Sequence, residues 1–208
     1  MQAFRTRWLG IAVWASFGLG LAFSTPASVQ AQAASPVVSE TVLTLDPVQC
    51  KVHWTVDSTL HTVHGTFALT RGSVHFDPRT GKAGGEIVVY APSGESGNTS
   101  RDKRMHREIL ETSKYPEVAF RPLQIEGKVS PSGASDVKLN GVFSIHGTDH
   151  DLTAVVHAEL SGNRWNGNSK FVVPYVKWGI KDPSNFLLKV NPVVSVELEI
   201  SGAVEAAN

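Results

Sequence analysis

The sequence predicts an all-β domain, an eight-stranded antiparallel barrel with one helical segment near its opening. Three observations predict it. A two-residue alternation of apolar and polar side chains runs through most of the chain, turn residues punctuate it at short intervals, and only Arg101–Thr112 takes a helical period. The alternation is clearest at Val137, Leu139, Phe143 and Ile145, and it resumes at Leu152, Ala154, Val156, Ala158 and Leu160 after a His146-Gly147-Thr148-Asp149 turn. Successive strand side chains point to opposite faces, so this pair reads as a hairpin with one apolar and one wet face.

The elements follow in order. Thr41–Leu45 opens the first strand, and Cys50–Asp57 is the second, with Val52, Trp54 and Val56 on one face. Val63–Thr70 and Ser73–Phe76 follow, then an Asp77-Pro78-Arg79-Thr80-Gly81 turn and a strand at Glu86–Tyr90. The small residues of Pro92–Asn98 break the pattern. Thr99 or Ser100 is placed to cap a helix from Arg101, whose Met105, Ile109 and Leu110 share a face with Asp102 and His106 at its edge. Tyr115-Pro116 ends it. Strands return at Val118–Ile125, Val137–His146, Leu152–Leu160, Trp165–Val173 and Leu187–Ile200, the last bent at Pro192. About eight strands at such spacing make a closed or nearly closed barrel.

Composition bounds the partners. Arg5 and Arg7, the uncharged apolar stretch Leu9–Leu21 and Ala31-Gln32-Ala33 together read as a secretory signal peptide at residues 1–33, which implies a periplasmic or secreted protein. The apolar stretch is short for a membrane span. A flexible leader at 34–40, a single barrel domain at 41–204 and a short tail at 205–208 complete the chain. Without Arg5 and Arg7 the basic count falls from 19 to 17 against 19 acidic residues, so the net charge is near −2. A near-neutral surface without basic blocks argues against nucleic acid. The one cysteine, Cys50, excludes an internal disulfide and keeps phase with Val52 and Trp54 as a small buried residue.

An eight-stranded barrel can be filled by its own side chains or hold one slim ligand. Small residues at Ala68, Gly141, Ala154 and Ala158 among Trp54, Phe67, Phe120 and Phe143 leave both outcomes open. For the hollow case, the apolar tail of a ligand is expected against Trp54, Phe67, Met105, Phe120, Phe143 and Val156. The candidates at the rim for a polar head are Arg101, Asp102, His106, His64 and His146. Arg101 and Asp102 are equally suited to a structural cap and ion pair.

Other chemistries have less support. Gly94-Glu95-Ser96-Gly97 falls short of a nucleophile elbow because Asn98 stands where the second glycine is required. Asp102 and His106 lie four apart with no activated serine or cysteine beside them, so a non-enzymatic protein without a cofactor is expected. A rival of a different class is a periplasmic metal- or haem-binding accessory protein using His61, His64, His106, His146 and His150. No cysteine pair or His-Glu-x-x-His helix supports it.

Thr99-Ser100-Arg101-Asp102-Lys103-Arg104-Met105-His106, followed by Tyr115-Pro116-Glu117-Val118-Ala119-Phe120, resembles the Arg-Asp helix and Tyr-Pro strand of YceI-like proteins. Leu45-Asp46-Pro47, His61-Thr62-Val63-His64-Gly65-Thr66-Phe67 and Gly141-Val142-Phe143-Ser144-Ile145-His146-Gly147 resemble further family stretches in the same order. The resemblance implies a lipocalin-like barrel whose pore binds a polyisoprenoid or similar long-chain lipid in the bacterial periplasm, in some members as a homodimer. Transient membrane contact is the expected route to such a ligand. Two stretches depart from the family pattern: Pro92–Asn98, and the aromatic Tyr175-Val176-Lys177-Trp178-Gly179, to which no ligand role maps.

Overall fold

The computed structural model describes residues 40–206. The expected signal peptide at 1–33 and nearly all of the expected leader at 34–40 lie outside the described residues. Among the described residues there are nine strand segments: β1 (Thr41–Leu45), β2 (Lys51–Asp57), β3 (Thr62–Phe76), β4 (Ala83–Glu95), β5 (Glu117–Glu126), β6 (Gly133–Ile145), β7 (Thr148–Ser161), β8 (Arg164–Val173) and β9 (Val194–Ala206). They form eight lanes, because β1 and β2 share one. Both pair antiparallel with β3 on one side and β9 on the other: Thr41 faces Phe76 and Ala206, whereas Val52 faces Phe67 and Leu198. Turn 46–49 splits the lane, with Asp46 accepting from the Val48 and Cys50 backbone N–H groups. From β3 onward each strand pairs with the next, and β9 closes the circle, so the barrel is an eight-lane meander without a free edge.

Bulges set which side chains face inward. β3 runs unbroken through the two strands expected at Val63–Thr70 and Ser73–Phe76, with irregularities against β4 at Thr66/Ala68 and Leu69/Arg71. The second moves the buried positions from Val63 and Leu69 to Val74 and Phe76. Ala68, expected inside, is exposed. The break expected at Pro92–Asn98 is a bulge within β4: Ala68 pairs with Tyr90 but Thr66 with Glu95, so extra residues loop out of one strand. Ser93 Oγ accepts from the Ala68 N–H at 2.8 Å and fills the gap in the ladder.

The two barrel ends differ. At one end Leu45, Leu69, Leu160 and Trp165, joined by Phe76, Ile125, Val137 and Val156, pack the interior shut, with Phe76 only 2 % exposed. At the other lie turn 58–61, the β4–β5 connection, the two-residue hairpin at His146 and Gly147 (both at positive φ), and a strap at 174–193. The strap corrects the expected strand Leu187–Ile200, since β9 begins only at Val194. Among the described residues no helix is long and apolar enough to cross a membrane.

Candidate functional site

The β4–β5 connection forms half of a lid over the open end. Helix α1 (Thr99–Arg104) is capped by Asn98, not Thr99 or Ser100: the Asn98 side chain accepts from Arg101 N–H at 3.0 Å. Met105–Ile109 continues it as a π turn, in which Leu110 N–H reaches back to the Met105 carbonyl at 2.8 Å. This places Met105, Ile109 and Leu110 over the barrel, as the shared face required. Gly94 of the β4 bulge allows it, since a Cβ there would lie 2.3 Å from the Phe67 ring and 2.9 Å from the Met105 methyl.

The strap is the other half. Tyr175 and Ile180 are buried and pack with Phe143 and Val173. Trp178 lies against Phe143 at 5.8 Å and stacks flat on His150 at 4.2 Å. Tyr175 donates to the Asn191 carbonyl at 3.0 Å, and burial pushes its phenol up to about 12. An ion pair and a hydrogen bond join the halves: Lys181 meets Glu108 at 3.3 Å, and Arg104 donates to the Pro183 carbonyl at 3.2 Å. The Arg107 hydrogen bond, then that of Lys181, holds the Glu108 carboxyl below its usual range.

Beneath the lid runs a tunnel of about 580 Å³, within the usual span of small-molecule sites. Its walls are apolar down to Cys50, Leu69, Leu139 and Ile200. The polar groups inside have partners in the protein: Ser169 Oγ donates to the Val155 carbonyl at 2.8 Å and Cys50 Sγ lies 3.5 Å from the Ser201 carbonyl. Trp54 Nε1 is the exception, buried without a partner. Burial pushes the Cys50 thiol up. Ser58, His61, Ser100, Arg101 and Arg104 supply polarity at the mouth.

All six side chains expected to meet an apolar tail line this tunnel: Trp54, Phe67, Met105, Phe120, Phe143 and Val156. Trp54 owes its place to Gly65 opposite, where a Cβ would fall 2.3 Å from the indole. Of the expected small residues, Ala154 lines the tunnel, but the room beside Gly141 is filled by the Phe120 ring, 2.6 Å from an added Cβ.

The rim set is largely corrected. Only Arg101 reaches the tunnel, and its guanidinium donates to Ser96 Oγ and the Ser96 carbonyl, each at 2.7 Å, while Asp102 accepts from the same Ser96 hydroxyl. Both residues thus serve the loop junction through Ser96, while Asn98 is the cap and no Arg101–Asp102 ion pair forms among the described residues. His64 lies on the outer face with Thr55 Oγ1 at 3.0 Å, because its neighbour Val63 takes the inward position. His106 Nε2 donates to the Gly94 carbonyl at 2.8 Å, and its buried Nδ1 has no partner. His146 meets Glu111 at 2.7 Å and packs on Tyr115. The residues missed are those of the strap (Tyr175, Ile180, Pro183, Leu188 and Val190), which carry no two-residue period.

The rival histidine cluster does not assemble. His61 is at the mouth, His64 outside, His106 behind the lid, His146 on Glu111 and His150 on Trp178. Among the described residues, no group of three or more His, Cys, Asp or Glu side chains is placed to hold a metal ion. Asp102 and His106 have separate partners and form no base pair.

A closed antiparallel β-barrel with one sealed end and an apolar, lidded tunnel defines the class. The model of the YceI-like domain matches residues 43–202, and the chain belongs to that family. No curated protein matches the sequence. Among solved structures, BcnA of Burkholderia cenocepacia is similar at TM-score 0.61 and 14 % identity over 76 % of this chain and 99 % of that one. A polyisoprenoid binding domain from Saccharophagus degradans, implicated in plant cell wall breakdown, gives 0.56 at 14 % over 79 % and 98 %. The Campylobacter jejuni YCEI protein gives 0.53 at 16 % over 70 % and 85 %. At these identities the likeness is one of fold.

Proposed function

We propose that this protein binds one long-chain amphiphile, a polyisoprenoid or similar lipid, in its tunnel and sequesters or shuttles it without covalent chemistry. The observation that carries this is a bore of about 580 Å³ whose wall is apolar and whose polarity is confined almost wholly to the mouth. Burying a methylene is worth about 0.8 kcal/mol, so a sixteen-carbon tail gains on the order of 10 kcal/mol before ordering costs. A polar contact to the head adds only about 1 kcal/mol. Tail length therefore dominates selectivity, and the mouth sets orientation. The polyisoprenoid binding named for the Saccharophagus degradans domain supports the same ligand class. The signal-peptide pattern of residues 1–33 supports a periplasmic or secreted setting.

The test is organic extraction of the purified protein followed by mass spectrometry, with titration by a polyprenyl alcohol. Co-purifying lipid and saturable binding of about one prenol per chain are expected. A protein that yields no lipid and binds no prenol overturns the reading.

A further inference from the structure

The lidded end carries three large apolar side chains in water: Phe186 is 94 % exposed, Leu187 82 % and Leu60 73 %. They occupy the corners of two turns that the backbone ties together. Turn 185–188 is closed by Asn185, whose side chain accepts from the Leu187 and Leu188 N–H groups at 2.9 and 2.8 Å. Turn 58–61 is closed by Ser58, which donates to the His61 carbonyl at 2.7 Å. Thr59 N–H then donates to the Lys189 carbonyl at 2.9 Å, and Ser58 bridges to Val190. The three side chains thus sit on one hydrogen-bonded tip.

We propose that this tip docks the barrel on a lipid bilayer, mouth first. The proposal rests on the tunnel being a lipid site. Its own support is continuity: Ser58, His61, Leu188 and Val190, the residues flanking the three tip side chains, line the tunnel mouth. Through Leu188 and Val190 an apolar track therefore runs from the tip into the bore, past the polar Ser58 and His61 at the mouth. Three exposed side chains are too few for a stable protein interface but suit shallow insertion into a fluid one. Charges of both signs surround the tip, with Lys181 held by Glu108 and Lys189 beside Asp182, and the docking rests on the three apolar side chains.

Flotation with phosphatidylcholine vesicles tests this. The wild-type chain is expected to float, with little loss in added salt. Leu60→Ser/Phe186→Ser/Leu187→Ser is expected to lose about tenfold or more of its partitioning while keeping its thermal midpoint and its prenol binding from solution. Phe186→Trp is expected to retain flotation with a blue-shifted emission, since indole favours the interface. Val48→Ser, equally exposed but on the barrel wall at 93 %, is expected to change nothing. A wild type that stays in solution, or a triple variant that floats as well as wild type, overturns the docking. Flotation by a protein that binds no prenol would remove the tunnel reading and leave the docking in place.

Discussion

Ala154→Trp puts the hollow interior to the test. Ala154 is buried on β7, pairs with Leu139 across the barrel wall, and both line the tunnel. An indole there would take the room of about four methylenes of a bound chain. At about 0.8 kcal/mol each, affinity for a long prenol should fall by roughly 3 kcal/mol, or more than a hundredfold in Kd. Stability supplies the second reading. Overpacking a filled core costs about 1–3 kcal/mol, which for a domain of this size lowers Tm by about 2–12 °C. In an open bore the indole instead buries itself, and Tm should hold or rise. The assay is a prenol titration by fluorescence alongside calorimetry. Unchanged affinity would show that no tail passes Ala154, and a large fall in Tm would show that the space is filled.

Other outcomes follow from individual contacts. Gly141→Trp should not behave as a simple plug: an added Cβ meets the Arg121 carbonyl at 2.4 Å, so loss of cooperative folding is expected by circular dichroism. Asn98→Ala removes the acceptor for Arg101 N–H and should cost about 1 kcal/mol, or about 2–4 °C in Tm. Cys50 should alkylate slowly at neutral pH, because burial raises its thiol pKa, and prenol should slow it further; equal rates with and without prenol would place the ligand elsewhere. Glu108 has its folded pKa depressed, so its stabilising contribution is complete above the ordinary value of about 4.3 and is lost as pH falls through the folded value. Amide exchange in residues 179–184 should therefore quicken, relative to the strands, only below about pH 4; no change between pH 6 and pH 3 would refute the link.

The barrel was legible because its interior faces follow the strand period. Trp54, Phe67, Phe120, Phe143 and Val156 each repeat at two-residue spacing with apolar neighbours, and all face the tunnel. What the period does not encode are its interruptions. The β3 bulge moved the inward set from Val63, Phe67 and Leu69 to Val74 and Phe76, and the β4 bulge hid a strand inside Pro92–Asn98; Ala68 faces out simply because its neighbour Phe67 faces in. The strap carried no repeating signal, so Leu187–Val193 looked like the start of β9. The rim failed for another reason. Arg101, Asp102, His106 and His146 are polar groups near an opening, but nearby partners (Ser96, the Gly94 carbonyl and Glu111) use them in holding the lid. Spacing reveals which face a residue takes, not which neighbour reaches it first.

The packed floor around Phe76 and Trp165 makes the bore a blind alley. Whatever slides in must back out along the same path, so the end that entered last is the first to leave. For a ligand held as proposed, loading and unloading would then share one gate, the end covered by the strap and the short helix.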